Sequence, residues 1–152
     1  EQDIIFVGGG NTKSMLAVWK EWGLDSILKV AYDKGIMMSG VSAGAICWFE
    51  RGITDSWADH QATIDCLGFI KGTCCPHYDE EPERIPYVKD ALTNNGINSC
   101  LAIEGYTALH LIDDEPAFNV SFGDNDTNCY EVIYKNNEVA HKSIGKTVKV
   151  IL

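Results

Sequence analysis

Basic residues are scarce in this chain. Lys and Arg number 12 against 22 Asp and Glu, for a formal net charge of −10. That argues against nucleic acid as a partner, because phosphate binding needs clustered Lys and Arg. No apolar run approaches the length of a membrane span. There is also no basic start followed by an apolar middle, the mark of a secretory signal. No C-x-x-C pair occurs among the six cysteines, Cys47, Cys66, Cys74, Cys75, Cys100 and Cys129. Their irregular spacing inside apolar runs reads as buried thiols in a reducing, cytoplasmic compartment, not a disulfide framework. Cys74-Cys75-Pro76-His77 lacks the second half of a zinc ligand set, so no metal is expected. Repeats and low-complexity segments are absent. With 152 residues, the chain is read as one domain, 1–152.

Its positive features begin at Asp3-Ile4-Ile5-Phe6-Val7, a buried-strand pattern ended by Gly8-Gly9-Gly10-Asn11. Thr12 is the expected cap of a helix carrying Met15, Leu16, Val18, Trp19 and Trp22, closed by Gly23. Asp25 is the expected cap of a second helix, ended by Gly35. A strand over 36–39 follows, then Gly40-Val41-Ser42-Ala43-Gly44 and an apolar helix start, Ala45-Ile46-Cys47-Trp48-Phe49. This order predicts a parallel sheet covered by helices. Arg51 to His60 reads as an irregular loop. Gly72 to His77 leads to a strand end at Pro76. Next come a helix bearing Tyr87, Val88, Ala91 and Leu92, stopping at Asn94-Asn95-Gly96, and a strand, Ser99 to Ile103, ending at Glu104-Gly105. The final third predicts mostly antiparallel strands: Thr107 to Ile112, Ala117 to Val120, Asn128 to Tyr134, Val139 to Ser143 and Thr147 to Leu152. Tyr134 to Val139 contains a hairpin turn.

Strand, G-x-S-x-G turn and helix together make a nucleophile elbow. The two glycines allow a sharp turn that lifts Ser42 off the sheet, and the Ala43 N–H points toward charge developing near Ser42. Gly8-Gly9-Gly10 lacks the G-x-G-x-x-G spacing of a dinucleotide site and is not followed by the G-K-[ST] of a P-loop. Its remaining chemical use is to offer a second N–H to an oxyanion. Serine needs a base and the base needs an orienting group. Of the four histidines, His77 falls after a strand end, where α/β sheets place their sites, whereas His60 sits in a loop, His110 within an apolar strand and His141 in a hairpin. The orienting acid is left among Glu104 at a rigid strand end, Asp55 and Asp79.

In this order, Gly8-Gly9-Gly10-Asn11-Thr12, Gly40-Val41-Ser42-Ala43-Gly44, Thr54-Asp55, Cys75-Pro76-His77 and Glu104-Gly105 resemble the signature of the peptidase E (dipeptidase E-like, S51) serine peptidases. Cyanophycinases belong to the same family. The resemblance implies an α/β three-layer sandwich with a mostly parallel sheet, similar to class I glutamine amidotransferases and flavodoxin-like folds, with antiparallel hairpins at the C-terminus. It also implies a further N-terminal βα portion that this chain lacks; either the chain is a fragment or another copy covers the exposed sheet edge, as in a homodimer. The implied triad is Ser42, His77 and Glu104, with Asp55 as the alternative acid, and the implied oxyanion hole is Gly9 and Ala43. The function it implies is hydrolysis of short peptides through an acyl-enzyme, with no cofactor. The alternatives are a cyanophycinase-like or ester hydrolase and a catalytically silent scaffold of the same fold. A glutaminase would need cysteine in place of Ser42. Recognition of an acidic substrate would need a cation, for which Arg51 and Arg84 are the candidates by position.

Overall fold

A computed structural model describes residues 2–57, 59–94, 96–123 and 126–150. The chain divides into two compact units, 1–71 and 72–152.

In the first unit, β1 (Ile4–Val7) and β2 (Met37–Gly40) pair in parallel, with Ile4 opposite Met37 and Val7 opposite Gly40. Parallel neighbours need a crossover, which α1 (Thr12–Glu21) and α2 (Leu24–Asp33) supply. Period-two alternation turns Ile5 and Val7 toward these helices. There they pack, with Met38, on a core of Leu16, Leu28, Cys47, Trp48 and Cys66. On the opposite side of the pleat Ile4, Phe6 and Met37 remain 55%, 66% and 52% exposed.

Asn11, not Thr12, caps α1. Its Oδ1 accepts the Ser14 N–H at 2.9 Å, leaving Thr12 as the first, buried helical residue. Nor does Asp25 cap α2: Gly23, in the left-handed region at φ 68°, takes that position and Asp25 lies in the first turn.

A larger departure follows the elbow. The expected helix over 45–49 is a single turn, α3 (Ala43–Ile46), and β3 (Phe49–Thr54) takes in the start of the loop expected over 51–60. β3 pairs antiparallel with β4 (Ala62–Asp65). Trp48 cannot continue the helix because its carbonyl accepts the N–H groups of Phe69 and Ile70 at 2.8 and 2.9 Å. Arg51 and Gly52 interrupt the apolar pattern and hid the strand.

β5 (Ile70–Cys75) leads into the second unit, where its end pairs in parallel with β6 (Ser99–Ile103). α4 (Arg84–Thr93) joins them and buries Arg84, Val88 and Leu92. The chain continues through β7 (Thr107–Ile112), β8 (Glu115–Phe122), β9 (Cys129–Lys135), β10 (Glu138–Ser143) and β11 (Lys146–Val150). β9 pairs antiparallel with both β6 and β10, and β7 with β8. The expected last strand begins one residue early; residues 151 and 152 lie outside those described, as does Asn95 of the helix stop. β11 joins β8 in parallel.

The fold is therefore mixed α/β, with parallel pairs and antiparallel hairpins. No described helix is long and apolar enough to cross a membrane. All six cysteines are buried and none forms a disulfide. Burial pushes the Cys66 and Cys129 thiols up to about 12.

Candidate active site

In the first unit the site is built around a backbone that side chains resist. Ser42 has φ 56° and ψ −117°. The Gly44 N–H returns to the Val41 carbonyl at 2.9 Å. These are the angles of the first central residue of a type II′ turn, a position that glycine normally holds. The turn is anchored to β1 by the Val41 N–H on the Val7 carbonyl, 3.1 Å. That anchoring brings two backbones so close that a methyl group on Gly44 would lie 2.1 Å from the Val7 carbonyl oxygen. One on Gly40 would lie 2.3 Å from that of Gly44. The glycine-rich loop returns to the same place: a methyl on Gly9 would stand 3.3 Å from Ser42 Cβ and 3.8 Å from its Oγ. Gly9, Ser42 and the buried Ala43 thus sit together.

Asn11 uses both ends of its amide here, since its Nδ2 also donates to the Ser56 carbonyl at 3.0 Å. The Ser56 hydroxyl shares a 2.8 Å hydrogen bond with the Thr54 hydroxyl and accepts the Lys13 N–H at 3.3 Å. The chain after β3 is therefore strapped to the start of α1. Asp55 lies in that strap with its side chain exposed. Arg51, facing Asp65 across the β3–β4 pair, is 3.8 Å from its carboxylate.

In the second unit His77 follows β5 in a left-handed conformation, φ 52°. Its carbonyl accepts the N–H groups of both Glu80 and Glu81 at 3.2 Å. The segment is a tight turn, not the extended chain that would put Asp79 on the face of His77. In a turn the residue three positions on comes back, and Glu80 Oε2 stands 2.7 Å from His77 Nδ1. Asp79 instead accepts the Gly105 N–H at 2.7 Å.

Glu104 bonds the chain entering β9. Its Oε2 accepts the Asn128 N–H at 2.8 Å, and its own N–H donates to the Asn128 carbonyl at 3.2 Å. β6 lies between β5 and β9, and Asn128 leads into β9. The carboxylate leans to the β9 side, whereas His77 follows β5. Burial holds the Glu104 carboxyl above the usual carboxylate range. The Asn128 hydrogen bond counters this and Asp79 adds to it.

Peptidase family S51 matches residues 1–118. The chain belongs to that family. This S51 chain is 44% identical over 140 residues to "Uncharacterized peptidase YgaJ" of Bacillus subtilis (strain 168). The match covers 92% of the chain and 60% of that relative, so the chain spans about three-fifths of the relative's length.

Two further side chains of the S51 chain differ from expectation. Arg84 does not face a substrate: it is 2% exposed and donates to Glu81 at 2.7 Å. His141, which the sequence places in a hairpin, bonds the buried Tyr78 hydroxyl through Nε2 at 2.7 Å. Burial also pushes the Tyr78 phenol above its ordinary range. His110 stacks on Phe118 at 4.5 Å between ring centroids, as an apolar strand position suggests. Glu80 was missed because its place depends on the left-handed turn at His77, and no glycine marks that turn in the sequence.

Proposed function

We propose that this chain is the catalytic part of a cytoplasmic serine-type peptidase acting on short peptides. Ser42 attacks the carbonyl carbon while His77 takes its proton through Nε2. A proton returns from the imidazole to the leaving amine, and water then releases the acyl group by the same path. The N–H groups of Gly9 and Ala43 hold the oxyanion. The observation that carries this reading is Ser42 itself, a non-glycine residue held in a glycine conformation with Gly9 against its side chain. Strain of this kind gathers at functional sites. The resemblance names Glu104 as the acid for His77. The two units act in this reading as one S51 domain of glutamine amidotransferase-like fold.

A fluorophosphonate probe tests the reading. Serine oxygen displaces fluoride from phosphorus, and peptide mapping should place the adduct on Ser42. His77→Ala should slow labelling by at least about 100-fold, the scale of lost base catalysis, without shifting the melting curve by more than a few degrees. An unlabelled wild-type protein, or an adduct on another residue, would leave the silent scaffold as the better account.

A further inference from the structure

We propose that the cleft between α4 and the β9–β10 hairpin binds a free α-amino acid with an apolar side chain. The site lies within the second unit and does not depend on the peptidase reading. One wall follows from helix spacing. Arg84, Val88 and Leu92 recur on one face of α4 and turn it into the core. Ile85 and Lys89 each stand one residue on from that row. They share the adjoining face, and both are exposed. The facing wall follows from strand pairing. Val139 stands opposite Tyr134 across the hairpin, and opposed residues share one side of the pleat. His141, two residues after Val139, lies on that side as well.

Together these residues line a cleft of about 550 Å³. Small-molecule sites commonly hold roughly 300–1,000 Å³. Tyr78, which is buried, also lines the cleft, and its hydroxyl bonds His141 Nε2. Burial holds that phenol above its ordinary range, so it keeps its proton and donates. With the hydroxyl satisfied by the protein, Tyr78 offers a ligand its ring. Ile85 and Tyr134, 44% and 39% exposed, and Val139 add apolar surface to the same cleft.

Charge decides the class of ligand. Lys89 on the helix wall and Glu138 on the hairpin wall both line the cleft, and neither has an ion-pair partner among the described residues. A zwitterion answers both. Its carboxylate takes Lys89 and its ammonium takes Glu138, while its side chain lies on the apolar surface of Tyr78, Ile85 and Val139. An α-amino acid carries its two charges on one carbon and points a single side chain away from them, as this cleft requires. A simple acid would meet Glu138 uncompensated, and a simple amine would meet Lys89. In the peptidase reading such a molecule is a product of the chain's own reaction.

L-Phenylalanine tests the site, with 3-phenylpropionate and phenethylamine as the compounds that lack its ammonium and its carboxylate. Titrated into the whole chain and followed by nuclear magnetic resonance, phenylalanine should shift the signals of Ile85, Val139 and His141. Its Kd should be about 0.1–1 mM, an ordinary value for a ligand of this size. Each of the other two should bind about tenfold more weakly, the loss of one charged hydrogen bond. Glu138→Gln should remove the preference for phenylalanine over phenylpropionate and keep that over phenethylamine. Lys89→Met should do the reverse. Both side chains are exposed, so neither substitution should move the melting curve. No shift at these residues up to about 10 mM, equal affinity for the three compounds, or affinities untouched by both substitutions overturns the proposal. Binding is read without hydrolysis, so a protein that binds as expected but takes no fluorophosphonate overturns the peptidase reading and upholds the amino-acid site.

Discussion

Ser42→Gly should be more stable than the native protein and inert toward both probe and peptide. The loss of activity follows from removing the proposed nucleophile and should reach about 10⁴-fold or more. The gain in stability comes from the backbone. At φ 56° and ψ −117° a Cβ is strained by roughly 1–3 kcal/mol, which glycine relieves. Glycine also loses more chain entropy on folding, about 0.5–1 kcal/mol. The net gain is then about 1 kcal/mol, or roughly 2–4 °C in melting temperature for a chain of this size. Ser42→Ala supplies the comparison, because it removes the hydroxyl and keeps the Cβ. It should be equally inactive without the gain. Equal melting temperatures for the two variants would mean that the elbow stores no more strain than the entropy cost of glycine, about 0.5–1 kcal/mol.

Gly44→Ala should do the opposite and damage the whole first unit. The added methyl would meet the Val7 carbonyl oxygen at 2.1 Å and its carbon at 2.5 Å. Both are backbone atoms of β1, so no rotamer change can make room. Either β1 moves away from the elbow, breaking the Val41–Val7 bond, or the elbow opens and Ser42 moves away from Gly9. A clash of this kind in packed backbone costs on the order of 3–5 kcal/mol, which is roughly 10 °C or more in melting temperature. Circular dichroism melts and probe labelling should fail together. A variant that melts normally would show that the contact is easily relaxed. Gly9→Ala, by contrast, meets only ordinary contact distances or slightly less and should leave the melt nearly unchanged.

These contrasts show which parts of the molecule could be read without coordinates. Periodicity and turn residues located β1, both crossover helices, β6 and the hairpins of the final third. They failed where packing overrides pattern. The segment after Ser42 has helix-like apolar spacing, but Trp48 is claimed by the backbone of 69–70, and β3 begins instead. The elbow was legible because two glycines and a serine at fixed spacing encode a backbone shape. The hydrogen bond between His77 and Glu80 was not. Asp79 follows from an extended chain and Glu104 from a strand end, whereas Glu80 requires the left-handed turn that His77 adopts. Nothing in residue type marks a histidine for that conformation. Arg84 was misplaced for a related reason: sequence displays a cation, and only burial shows it turned inward toward Glu81.

The inward turn of Arg84 sets the electrical character of the approach to His77. The segment that carries the imidazole also carries Asp79, Glu80, Glu81 and Glu83, and the nearest arginine in sequence has its charge neutralised inside the unit. An arriving molecule meets a negative field that extends over about one Debye length, roughly 10 Å at 0.1 M salt. In the peptidase reading proposed above, peptides with a positive charge near the scissile bond should be captured faster at low salt, and their capture should slow as ionic strength rises. In the same reading, capture of peptides that lead with aspartate should rise with added electrolyte. In the proposed peptidase reading, one buried guanidinium thereby leaves the histidine segment without the cation that an acidic dipeptide would need there.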